Sequence, residues 1–207
     1  MSLVGLRFYF RTTGRGDLHC QRCGGDRKYR RCVGRRWFHV LRIPLIPLDR
    51  VAEHVQCRSC RTRYRVEVLA IPTIAAMLEA LPAGAVAAAT TMLRAGDPAS
   101  PAARNRAIDV LLAAGLIGYD DAALTVDLAL SEGPGSDIAA PLRRLAIQLT
   151  MPAPEWFLTD AVQIGLADGP LSDEEREAAR IIAAHLGMTA AQAHGVIVMA
   201  EESAAAG

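Results

Sequence analysis

Two cysteine pairs, Cys20-Gln21-Arg22-Cys23 and Cys57-Arg58-Ser59-Cys60, are the side chains in this sequence best suited by type and spacing to do chemistry. A two-residue gap lets both sulfurs of a pair turn onto one ion, and two such knuckles supply the four thiolates of a tetrahedral Zn²⁺ site. Disulfide pairing is the competing use of the same residues, and a reducing compartment disfavours it. Four cysteines complete the coordination sphere, so the site they predict is closed and structural, with no open position for catalysis. Four thiolates on Zn²⁺ carry a formal charge of about −2, which Arg22, Arg58 and Arg61 offset in part. Gly24 and Gly25 follow the first knuckle and permit a tight turn, whereas Arg61 follows the second. Cys32 has no partner at knuckle spacing and reads as a small apolar residue in a strand. With four cysteines present, His19, His39 and His54 read as surface or supporting residues.

The second candidate group is acidic: Asp160, Asp168, Asp173, Glu174 and Glu175. Asp160 and Asp168 are eight residues apart, about 12 Å along a continuous helix and too far to hold one ion together. Asp168 can approach Glu174 or Glu175 across the Gly169-Pro170 turn. The spacing is not that of a twelve-residue calcium loop. Helix capping with a solvated acidic face is one reading, and a weak cation or cationic-partner site at Asp160, Asp168, Glu174 and Glu175 is the other.

These groups fall in halves of opposite charge. Up to Ala70 there are 16 Lys and Arg against 5 Asp and Glu, a net +11; beyond it there are 7 against 17, a net −10. Seven aromatics, Phe8, Tyr9, Phe10, Tyr29, Trp37, Phe38 and Tyr64, lie in the basic part, and only Tyr119, Trp156 and Phe157 lie in the rest. The division predicts an α+β protein: a small β-rich zinc ribbon over residues 1–70, then an all-helical domain, rich in alanine and leucine, over 71–207. Within the ribbon, Pro44 and Pro47 are expected to confine their strand to a sheet edge or end its pairing. The stretch Thr62–Val68 alternates with period two, Tyr64, Val66 and Val68 against Arg63, Arg65 and Glu67, and predicts a half-buried strand beside the metal.

From Pro72 onward, start and stop signals mark about eight helices. Ser100 with Pro101 opens one and Gly115 closes it; Asp120 or Asp121 opens the next, which Gly133-Pro134-Gly135 breaks. Capping boxes are legible at Ser172 with Glu175 and at Thr189 with Gln192, and a helix is expected over about Asp173 to Leu186 before Gly187. Ala95–Ser100 can be laid on Ala167–Ser172, and without a gap Arg104 then matches Arg176, Ala107 matches Ala179 and Gly115 matches Gly187. An internal duplication accounts for this, the first copy having Ala102 and Ala103 where the second has Glu174 and Glu175.

The run Ile164-Gly165-Leu166-Ala167-Asp168-Gly169-Pro170-Leu171-Ser172-Asp173-Glu174-Glu175, with Leu186-Gly187-Met188 after it, resembles the signature of TerB-like tellurite-resistance proteins. The cysteine knuckles, Arg36-Trp37-Phe38 and Ile43-Pro44-Leu45-Ile46-Pro47-Leu48 are similar to zinc-ribbon modules of actinobacterial type that precede such domains. The resemblance implies an all-helical domain linked to stress from toxic oxyanions, through metal sensing or assembly with a protein partner, and implies no catalysis.

Function classes narrow accordingly. His185 and His194 have no neighbouring nucleophile or second histidine at zinc-binding spacing, and neither a phosphate loop nor a nucleophile elbow is present, which argues against an enzyme. Sixteen basic residues interleaved with aromatics suit nucleic acid, the alternative partner, although they also suit a solvated or docking surface. Arg7 interrupts the apolar start, so no secretion signal is read, and Glu67, Glu79, Pro72, Pro82 and Gly84 interrupt the longest apolar stretch, which argues against a transmembrane helix. The expected compartment is the cytoplasm.

Overall fold

The computed structural model describes residues 4–40, 43–131, 138–149 and 152–206, excluding the side chains at 4, 39, 40, 44 and 45. The chain divides into two units, Met1–Ala75 and Ala76–Gly207.

In the first unit, β1 (Val4–Cys20), β2 (Gly25–Val40), β3 (Ile43–Cys57) and the short β4 (Arg63–Tyr64) form an antiparallel sheet in sequence order. Cross-strand partners share a face of a pleated sheet, so the register assigns the described, paired side chains to a face. Leu18 pairs with Arg27, Tyr29 with Cys57, and Val55 with Tyr64, all on one face. Arg15 pairs with Arg30, Arg30 with Gln56, and Gln56 with Arg63, all on the other. A bulge in β1 between Thr12, opposite Cys32, and Gly14, opposite Arg31, exchanges the faces along that strand. Leu18, Cys20, Val55, Cys57 and Val68 form the small buried core, with Tyr29, Tyr64, Val66 and Leu69 packed against it. β3 runs through both prolines, but β4 pairs only with Val55 and Gln56, so the proline-bearing end of β3 lies on a free edge among the described residues.

The strand expected over Thr62–Val68 is cut short. Only Arg63–Tyr64 pairs, and Val66–Ala70 forms a 3₁₀ turn closed by Val68 N–H to Arg65 C=O and Ile71 N–H to Val68 C=O. An extended strand would leave Leu18 and Val55 open to water; the turn folds Val68 down onto them.

The described residues of the second unit and its lead-in contain seven helices: α1 (Ile74–Ala95), α2 (Pro101–Ala113), α3 (Asp121–Leu130), α4 (Ala139–Gln148), α5 (Ala153–Gly165), α6 (Asp173–His185) and α7 (Ala190–Ala205). The Gly133-Pro134-Gly135 break lies outside the described residues. All seven helices feed one core, with Met92, Leu93, Leu111, Leu124, Leu145, Leu158, Val162, Ile164 and Ile182 fully buried, together with Ala89, Ala107 and Ala179. Val66–Ala95 is long and apolar enough to cross a membrane by length and composition. It comprises two elements, the 3₁₀ turn and α1, and Ala85, Ala88, Ala89, Met92 and Leu93 in the second half of α1 are buried.

The two segments laid on one another in sequence also match in local structure at α2 and α6. α2 and α6 each have 13 residues, each opens on a serine whose hydroxyl accepts a backbone N–H three residues on, and each ends at a glycine of positive φ, Gly115 at +99° and Gly187 at +78°. Both ends carry the same pair of bonds: Leu116 N–H to Leu111 C=O with Gly115 N–H to Leu112 C=O, and Met188 N–H to Ala183 C=O with Gly187 N–H to Ala184 C=O.

Candidate metal centre

The ends of β1 and β3 deliver the first cysteine of each knuckle, Cys20 and Cys57, and both are buried. Backbone bonds then turn each knuckle in the same way. Cys23 and Gly24 N–H reach the Cys20 carbonyl at 3.0 and 2.9 Å, and Arg61 N–H reaches the Cys57 carbonyl at 3.1 Å. The residue after each knuckle is left-handed: Gly24 has φ +64°, and Arg61, the only described non-glycine residue of positive φ, has +60°. Glycine adopts this conformation freely, whereas a side chain there costs on the order of 1 kcal/mol.

The four sulfurs of Cys20, Cys23, Cys57 and Cys60 all lie within 4.8 Å of one another, and Cys20 Sγ is 3.7 Å from Cys60 Sγ. A tetrahedral ion with sulfur bonds of about 2.3 Å needs edges of about 3.8 Å. The donor set and its spacing therefore fit a tetrahedral metal ion. Two hydroxyls support it: Thr62 Oγ1 is 3.2 Å from Cys60 Sγ, and the Tyr64 hydroxyl is 3.2 Å from Cys20 Sγ. Hydrogen bonds from the Thr62 side chain and backbone lower Cys60 to about 6. Burial, with the neighbouring sulfurs, pushes Cys23 up to about 12. Sulfurs this close resist sharing negative charge, and a bound cation removes that conflict. Sequence reasoning missed Thr62 and Tyr64 as supporting groups, because Tyr64 read there as an ordinary inward strand residue.

The other cysteine and two of the histidines are excluded by the sheet faces. Cys32 pairs with His54 and Thr12, and His19 pairs with Asp26, all on the face opposite the four cysteines. Cys32 is 5% exposed and has no sulfur partner. His54 packs edge-on against Phe10 at 5.3 Å, and burial lowers its pKa.

No protein-family model, curated protein or solved structure matches this chain. The likeness to TerB-like proteins accordingly stands on the quoted motifs.

In the helical unit, the acidic residues of that motif are dispersed. Asp160 is exposed on α5 and Asp168 is exposed in the turn before α6; Glu174 is exposed, and Asp173 pairs with Arg176 at 3.3 Å. Glu175 is 6% exposed and serves the capping box, its carboxylate accepting Ser172 N–H at 2.8 Å while Ser172 Oγ accepts Glu175 N–H at 3.1 Å. Among the described residues, the cysteine quartet is the only group of three or more His, Cys, Asp or Glu side chains close enough to hold an ion.

Proposed function

We propose that the chain is a non-enzymatic interaction module of the cytoplasm, a zinc ribbon carrying a helical unit of TerB-like type. The observation that carries this reading is the closed set of four sulfurs. A Cys₄ set with these distances suits structural Zn²⁺, whose part is to hold the ribbon folded, and leaves no coordination position for substrate. The ribbon then serves as a presenting surface for a partner, in the oxyanion-stress setting that the TerB-like motif implies. Elemental analysis of the purified chain tests the first step: one zinc per chain is expected, lost in Cys57→Ser with Cys60→Ser and kept in Cys32→Ser. Absence of zinc, or its retention in the double variant, overturns the reading. Loss of tellurite tolerance in a host lacking the chain tests the setting.

The second reading is a nucleic-acid adaptor. It is favoured by the row Arg15, Arg30 and Arg63 on the sheet face opposite the metal, exposed and outside every ion pair among the described residues.

A further inference from the structure

Residues Arg15, Arg30, Gln56 and Arg63 form one cross-strand row over all four strands of the sheet. Like charges directly opposite one another in an antiparallel pair are destabilising, so Arg15 facing Arg30 costs free energy that a bound anion recovers. Gln56 Oε1 accepts from both Arg30 Nε and Arg30 Nη2, at 2.9 and 2.6 Å, which fixes the plane of that guanidinium. Beside the row, Arg30, Gln56, Cys57, Arg58 and Arg61 line an open recess of about 420 Å³, so the positive surface continues around the second knuckle. Carboxylates on this face are already engaged: Asp17 with Lys28 at 2.8 Å, Asp26 with the backbone N–H groups of Ile74 and Ala75, and Asp49 with Arg36, the cross-strand partner of Phe8.

Aromatic side chains continue the same face. Phe10 pairs with Gly34, whose missing side chain leaves room for the ring, since a Cβ there would come within 2.7 Å of Phe10 Cε1. The Arg63 guanidinium lies 5.6 Å from the centre of that ring, joining the arginine row to the aromatic run. Phe8 follows one pleat further along β1, and the two rings are 55% and 46% exposed for Phe8 and Phe10. Residues two apart on a strand are about 7 Å apart.

We infer that this face binds single-stranded nucleic acid, the arginine row holding backbone phosphates while Phe10 and Phe8 stack bases. The inference rests on the adaptor reading and narrows it to one strand on one sheet face. Charge complementarity selects the ligand: the row crosses three strand spacings, about 14 Å, which exceeds a single phosphate and suits consecutive backbone groups. The exposed rings supply a sequence-tolerant platform that a duplex, with its bases already stacked, does not use.

The test is fluorescence anisotropy of the zinc-loaded full chain with a labelled mixed-sequence oligonucleotide, as single-stranded RNA, single-stranded DNA and duplex. At least one single strand is expected to bind about tenfold or more tighter than duplex. Its affinity should fall about fiftyfold between about 50 and about 200 mM salt, as expected for about four neutralised phosphates. Phe8→Ala, which removes an exposed ring, should weaken single-strand binding about fivefold or more. Arg30→Gln and Arg63→Gln should each flatten the salt dependence, with zinc content confirming that every variant is folded. Equal binding of duplex and single strand, with Phe8→Ala unaffected, overturns this inference and leaves the adaptor reading standing. Absence of binding to any oligonucleotide at low salt overturns both. Polyglutamate competing as strongly as the oligonucleotide assigns the face to an acidic polypeptide and also overturns the inference.

Discussion

In the sheet unit the buried cluster is Leu18, Cys20, Val55, Cys57 and Val68, two of them cysteines of the quartet, whereas in the helical unit the core runs through all seven helices. A sheet that buries so little apolar surface is poorly placed to offset the entropy of ordering its long strands, and an ion held by the quartet would supply the difference. The helical unit closes on leucine, isoleucine and alanine and needs no such help. With the buried cluster gathered at the cysteine end, the other sheet face packs only locally, around Cys32, Phe10 and His54, and Phe8, Phe10 and Arg30 remain exposed. The helices have no comparable freedom, because each spends one face on the common core.

Removing the metal should separate the two units most sharply. Chelation is expected to cost the sheet unit on the order of 10 kcal/mol. Hydrogen exchange should then show amide protection lost across residues 4–57 and kept across α2 to α7; equal loss in both would mean that the helices also depend on the ion. The converse change is Leu158→Ala, at a fully buried position of α5. It should destabilise the helical unit by about 2 to 5 kcal/mol in urea melts while zinc content stays at the wild-type level.

Smaller effects sharpen the comparison. Ser172→Ala should lower helical stability by about 1 kcal/mol, because it leaves the Glu175 N–H without its acceptor while the Ser172 N–H keeps the Glu175 carboxylate. In the sheet unit Arg61→Gly should stabilise by about 1 kcal/mol, since it removes a side chain from a left-handed residue. A drop in midpoint for that variant would mean that the Arg61 side chain contributes more than its backbone costs. The last effect is one of acidity. The N–H groups of Ala75 and Ile74 hold the Asp26 carboxyl below its ordinary range. A lowered carboxyl contributes stability that is complete above its unfolded value and lost as pH falls through the folded one. The difference in urea midpoint between wild type and Asp26→Asn should therefore be constant near neutrality and shrink below about pH 4.

Local rules made much of this legible. Ser100, Asp120, Ser172 and Thr189 all cap the helices read from them, because a cap depends on residues three apart. The two knuckles were equally plain, since both sulfurs of a pair are set by one turn. What escaped depends on register. Nothing in the alternation of Arg63, Tyr64 and Arg65 says that pairing stops after two residues, because that is decided by Leu18 and Val55, far away in the chain, requiring a cover. The left-handed backbone at Arg61 was hidden because residue type there opposes the conformation, which the neighbouring bonds of the knuckle impose. The spread of Asp160, Asp168 and Glu174 likewise follows from tertiary placement, which spacing alone underdetermines.

The bulge at Thr13 works on β1 as a shift of reading frame works on a message. Leu6, Phe8, Phe10, Leu18 and Cys20 all have even numbers, and an unbroken strand would turn every one of them to the same side. One extra residue sends the last two toward the cysteine quartet and the first three to water. A deletion of Thr13 would turn Leu6, Phe8 and Phe10 to the side of Leu18 and Cys20 and send Arg7, Tyr9 and Arg11 to the other, without changing a single remaining side chain. Such a ribbon can be given a new recognition surface by editing its length, with its composition untouched.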